Sequence, residues 1–152
     1  MIQRIQTIFL LLTAIFMSGA AFCPLFEIVD GGKLSLTFHS FGIGTMFNAE
    51  YPTWGILTFA VLGIILSIVN IFLYKKRQLQ IKLALLTALL IVVYYVTTMI
   101  YLNTYLAKID SAYTLNIQFG IILPVIALIF DFLAISKIKK DEKLVRSLDR
   151  IR

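Results

Sequence analysis

Four long stretches without a formal charge constrain this fold more than any other feature. There are 22 uncharged residues between Arg4 and Glu27, 24 between Glu50 and Lys75, 25 between Lys82 and Lys108, and 20 between Asp110 and Asp131. A helix rises about 1.5 Å per residue, so about 20 residues cross a hydrocarbon layer about 30 Å thick. A surface helix of a water-soluble protein would interrupt each run with a polar face every turn, and these runs carry none. Only helices and closed barrels satisfy their backbone groups in lipid, and continuous rather than alternating apolarity selects helices. The expected fold is an all-α membrane protein, a four-transmembrane-helix bundle with spans at about residues 5–24, 54–74, 83–105 and 116–135. Composition agrees. Charged residues make up 14% of the chain, against about 25% in an average soluble domain, and the mean hydropathy is +0.92.

Lysine and arginine set the expected orientation. Of the 14 basic residues, Arg4 precedes the first span, four lie between Lys75 and Lys82, and seven lie in the tail from Lys137 to Arg152. The two remaining connections hold one each, Lys33 and Lys108. Both termini are therefore expected on the cytoplasmic side. The net charge of +6 reads as topology and attraction to anionic headgroups rather than as a nucleic-acid footprint. The first span is also weighed as a signal peptide, but its apolar run exceeds the usual h-region and Phe22 before Cys23 fits a lipoprotein cleavage site poorly. A single cysteine excludes an internal disulfide and a paired-cysteine redox centre.

The transmembrane domain occupies residues 1–135, with an outside loop at 27–53 and a basic amphipathic cytoplasmic tail at 136–152. In the loop, Phe26-Glu27-Ile28-Val29 and Leu34-Ser35-Leu36-Thr37-Phe38 flank Asp30-Gly31-Gly32, which predicts a short extracytoplasmic β-hairpin. Leu34, Leu36 and Phe38 give it one apolar face, and Phe41-Gly42-Ile43-Gly44 reads as irregular backbone returning to the membrane. His39 is the only histidine and has no ligand-type spacing to Glu27, Asp30 or Glu50, so no metal or other cofactor is expected. The tail presents Lys140, Lys143, Leu144, Arg146, Leu148, Arg150 and Ile151 as a candidate contact for a partner or for headgroups.

The ends carry a resemblance. The start Met1-Ile2-Gln3-Arg4-Ile5-Gln6-Thr7, the turn Phe22-Cys23-Pro24-Leu25-Phe26 and the tail Lys140-Asp141-Glu142-Lys143-Leu144-Val145-Arg146-Ser147-Leu148-Asp149-Arg150-Ile151-Arg152 resemble an uncharacterised family of bacterial four-helix membrane proteins, catalogued as domain of unknown function 4293. The resemblance runs over essentially the whole chain. It implies a four-helix inner-membrane protein and supplies no activity, so no catalytic residue is carried over.

Polar residues inside the spans are the ones that need a reason. Asp131 is the one acidic residue there, and ionised at the centre of a span it costs about 2.5–3.5 kcal/mol. Counting depth from the cytoplasmic ends places Asn70, Thr87 and Thr7 near it, a candidate polar layer that reads either as interhelical hydrogen bonding or as a proton- or cation-linked path. Arg4 or the basic residues at 75–77 are further candidate partners for Asp131. Tyr94 and Tyr95 fall near the midplane with Gly63 and Pro124, a candidate pocket in which a tyrosine hydroxyl satisfies the Gly120 carbonyl that proline leaves free and Gly63 makes room for the ring. Filling the core is the simpler role for both tyrosines.

No catalytic constellation is present: no Cys–His pair, no G-x-S-x-G, no phosphate loop and no H-E-x-x-H. The expectation is a non-enzymatic accessory or interaction protein of the envelope, contacting a membrane-protein partner or a second copy of itself. The alternative is a small proton- or ion-linked transporter that uses Asp131 as an oligomer.

Overall fold

A computed structural model describes residues 3–30, 34–45, 48–74, 76–108 and 113–149. Four helices dominate: α1 at Gln3–Phe22, α2 at Trp54–Phe72, α3 at Arg77–Leu106 and α4 at Leu123–Asp149. All four are long and apolar enough to cross a membrane. Packing is cyclic, with α1 and α3 each lying against both α2 and α4. The breaks between helices have local causes. Pro24 cannot continue α1 and stands two residues beyond its last turn. The polar stretch at residues 73–76 separates α2 from α3.

The expected hairpin is part of something larger. Five strands, β1 at Phe26–Asp30, β2 at Leu34–Phe38, β3 at Gly42–Thr45, β4 at Asn48–Pro52 and β5 at Tyr113–Ile117, form one sheet in the order β4-β3-β2-β1-β5. All neighbours are antiparallel. An all-α description with one hairpin is therefore corrected. Residues 41–44 are expected to be irregular, but Gly42–Thr45 form β3, which pairs with both β2 and β4 across a bulge at Ile43/Gly44. Pro52 is tolerated because β4 is an edge strand, where a missing ladder donor costs little. The turn residues 31–33 lie outside the described residues, while the strands they join pair from Phe26↔Phe38 to Asp30↔Leu34.

Residues 116–122 are not α-helical, which corrects the expected start of the fourth span. Asn116 and Ile117 end β5, Phe119–Ile121 make a single 3₁₀ turn, and α4 begins at Leu123. Pro124 thus occupies the first turn of α4, where its missing N–H removes no helical hydrogen bond and causes no kink. Gly120 explains the abrupt turn. Its N–H donates to the Pro24 carbonyl at 3.0 Å, and a Cβ there would stand 2.3 Å from that same oxygen.

At the opposite end, α3 starts at Arg77 rather than near residue 83, and α4 runs unbroken past residue 135 to Asp149. Through Asp149 the tail continues α4 and makes up about half of this 27-residue helix. The core proper, including Met17, Phe38, Ile43, Ile56, Ile91, Tyr94 and Ala127, joins the sheet's inner face to the adjoining half of the helices. The helix exteriors remain apolar and exposed along their length, as at Ile8, Ile15, Leu62, Leu89 and Ile129.

Candidate functional site

Hydrogen bonds between helices fix their relative heights, and from these the interior can be read level by level. The Arg77 guanidinium donates to the Asp141 carbonyl at 3.1 Å, and the Gln6 amide donates to the buried Asp141 carboxylate. These contacts mark the tail end. Thr87 stands ten residues beyond Arg77 on α3, and Asp131 stands ten residues before Asp141 on the antiparallel α4. Both are therefore about 15 Å toward the sheet and at one height. Both side chains are fully buried.

Thr87 donates its hydroxyl to the Leu83 carbonyl at 3.0 Å, leaving its oxygen lone pairs to the interior. Neither carboxyl oxygen of Asp131 has a hydrogen-bond partner among the described residues. On α1 the polar residue facing this height is Thr13, whose hydroxyl lies 3.0 Å from the Phe9 carbonyl and 3.4 Å from that of Ala127, one turn before Asp131. Thr7 is six residues before Thr13, about 9 Å along α1 toward the tail end, and makes no hydrogen bond to Asp131.

Asn70 has a different partner from the one depth counting suggests. Its amide donates to the Gln80 carbonyl and the Gln80 amide donates to the Asn70 carbonyl, both at 3.1 Å. The pair ties the last turn of α2 to the first turn of α3, at a helix-end carbonyl that also accepts from the Leu73 N–H at 3.3 Å. Both amide oxygens, Asn70 Oδ1 and Gln80 Oε1, remain buried without a donor, as does Ser67 Oγ one turn above Asn70.

Tyr94 and Tyr95 pack edge to face with ring centroids 5.8 Å apart. Ser40 donates to the Ala20 carbonyl at 3.0 Å, and the Tyr94 hydroxyl lies 2.9 Å from Ser40 Oγ and 3.4 Å from that carbonyl. The Tyr95 hydroxyl donates to the carbonyl of Ile121, one residue beyond Gly120. Met17, rather than a tyrosine ring, occupies the room beside Gly63, with its Cε 3.5 Å from where a Cβ would stand. Pro124 is buried at the start of α4. The four residues thus divide between a tyrosine network under the sheet and two separate close-packing points.

His39 is half-buried and stacks on Phe41 at 4.8 Å. Thr37 donates its hydroxyl hydrogen to the Gly44 carbonyl, so at 3.2 Å it is His39 Nε2–H that donates to Thr37. Burial pushes the imidazole below its ordinary range, opposed by a smaller effect of the Phe22 backbone. Glu27 accepts from the Gln118 amide at 3.0 Å. No group of three or more His, Cys, Asp or Glu side chains among the described residues could hold a metal ion. Lys140, Lys143 and Leu144 are exposed on α4, Arg146 and Leu148 lie on its backbone path, and Arg150 and Ile151 fall outside the described residues.

Thr13, Gln80, Gln6, Ser40 and Asp141 were missed at the sequence level. A signal for Asp141 exists. The small-residue stripe Ala127, Asp131 and Ala134, continued at helical spacing through Ile138, reaches it, and all five are buried. Ser40 lies in a loop and carries no periodicity to find it by.

A family model described as domain of unknown function (DUF4293) matches residues 2–151, nearly the whole chain, and the chain belongs to that family. No curated protein matches it.

Proposed function

We propose that this member of the family is a small, non-enzymatic, multi-pass protein of the bacterial inner membrane, with both ends in the cytoplasm, acting by contact with another membrane protein or a second copy of itself. The observation that carries this reading is the exposed exterior of the four helices. Large apolar side chains such as Ile8, Leu62, Leu89 and Ile129 stay uncovered on every helix. In water so large an apolar surface drives aggregation, and lipid is the surrounding that removes the penalty. Charge supports the orientation, since Lys76, Arg77, Lys82, Lys137, Lys139, Lys140 and Lys143 all belong to the tail-end half.

The protruding part of α4 offers a cationic surface with Leu144 exposed within it. It suits anionic headgroups or an acidic partner. The test is co-purification in mild detergent, comparing the wild type with a Lys140→Gln, Lys143→Gln variant. That variant keeps Asp141 and its contacts, which a truncation at residue 140 would remove along with the charge. The expected result is a partner held by the wild type and lost from the variant. An identical set of proteins with both would dispose of the tail as the contact.

A second reading, a small proton- or ion-linked carrier acting as an oligomer, is supported by the unpartnered carboxyl of Asp131. A pH-jump flux assay in liposomes, wild type against Asp131→Asn, decides it. Equal flux in both removes the carrier.

A further inference from the structure

Among the described residues, six buried side-chain atoms lack a hydrogen-bond partner, and five belong to one part of the interior: Ser67 Oγ, Asn70 Oδ1, Gln80 Oε1 and both oxygens of Asp131. Every one of the five is an oxygen able to accept, and no group among the described residues donates to any of them. Buried polar groups are ordinarily satisfied, and a run of orphaned acceptors in one place calls for a donor from outside the chain.

Their heights form a ladder. Gln6 and Asp141 lie at the tail end, and the Asn70–Gln80 pair lies about 4.5 Å above, because Gln80 is three residues beyond Arg77. Ser67 is about 4.5 Å higher on α2, and Asp131 with Thr87 is about 6 Å above that. No step between successive levels exceeds about 6 Å along the axis.

Beyond Asp131 the ladder stops. The next polar group outward in the interior is Tyr94, about 10 Å farther along α3. Met17, Ala60, Ile91 and Ala127 fill that interval and are fully buried. Above them the hydroxyls of Tyr94 and Ser40 are already spent on each other and on Ala20.

We infer that Asp131 is a proton-binding site at the blind end of a one-sided polar column, loaded from the tail end and sealed from the sheet end. The groups facing it leave the proton as the ligand. By height, the buried residues nearest it are Thr13 on α1, Thr87, Ala88 and Ile91 on α3, and Gly63 and Ser67 on α2, and none of them ionises. The nearest cations by position are Lys82, five residues from Thr87 and exposed, and Lys137, six residues from Asp131 and exposed. Arg4 stands nine residues before Thr13, about 13 Å along α1. Asp141, the other carboxylate of this interior, is engaged by Gln6. The inference rests on the membrane threading proposed above and not on any transported substrate.

The test uses the full-length protein in vesicles selected for tail-out orientation, verified by external trypsin cutting the tail but not the 27–53 loop. Dicyclohexylcarbodiimide, which couples to protonated carboxyls in apolar surroundings, is added with the pH set separately on each side. Adducts are read by peptide mass spectrometry. Acidifying the tail side is expected to raise labelling of the Asp131 peptide by about tenfold per pH unit over its titration. Acidifying the sheet side is expected to change nothing, and Asp131→Asn to abolish the adduct. Should that variant fail to fold, Asp131→Glu is expected to keep one-sided labelling. Labelling that follows the sheet side, both sides equally or neither overturns the inference. Trypsin reaching both the tail and the loop in sealed vesicles would instead overturn the threading.

Discussion

The two halves of this molecule treat buried polar groups in opposite ways. In the sheet-end half, Ser40, Tyr94, Tyr95 and Thr53 are each donated or accepted, and among the described residues only His39 Nδ1 is buried there without a partner. In the tail-end half, Asp131, Ser67 and the two amide oxygens of Asn70 and Gln80 are just as deeply buried and are not. A satisfied network rigidifies, whereas an unsatisfied one costs stability and is kept only where something else depends on it. The sheet end is thus built as a closed cap, and the tail end as an interior with capacity in reserve.

The contrast can be broken most severely at Gly120. Replacing it with valine forces a side chain into the Pro24 carbonyl, and the expected loss is about 3 kcal/mol, read as a large drop in Tm in detergent. Next in size is Asp131→Leu, which removes an unsatisfied buried carboxyl. Stability is expected to rise by about 2 kcal/mol, and a fall would show that the carboxyl is compensated after all. Tyr94→Phe should act the other way, costing about 1 kcal/mol because Ser40 loses a donor. A double-mutant cycle with Ser40→Ala should show the two residues coupled.

The smallest effect concerns pH. The folded protein holds the His39 imidazole below its ordinary value, so the unfolded chain takes up the proton first. Stability from this residue is complete above about pH 6.5 and declines as pH falls through that value toward the folded one. A modest decrease in Tm on acidification is expected, shallower in His39→Gln. Identical slopes for the two proteins would remove His39 from the account.

Run length made the helices legible, because an uncharged stretch of 20 residues or more has few other places to go. It was also the source of the largest error. The run after Asp110 was read as helix from residue 116, although Tyr113-Thr114-Leu115-Asn116-Ile117 has the β-branched and aromatic content of a strand. Pro124, in the first turn of α4, is the available sign of a helix start. β3 and β4, Gly-Ile-Gly-Thr and Asn-Ala-Glu-Tyr-Pro, have little strand propensity and exist because β2 offers them an edge. Asp131 was found because a carboxyl in an apolar run is conspicuous. Its partners on other helices depend on offsets between helices, which periodicity within one helix does not contain.

β5 joins the sheet beside β1, so that Glu27 is paired with Asn116 across two helices of intervening chain. During synthesis the first strands emerge long before their last neighbour exists, and β1 keeps an open edge until α3 has been made. The final strand is therefore a clasp. It locks the first connection to the last, and a ribosome pause or a break before residue 113 leaves a half-built sheet free to pair with the wrong chain.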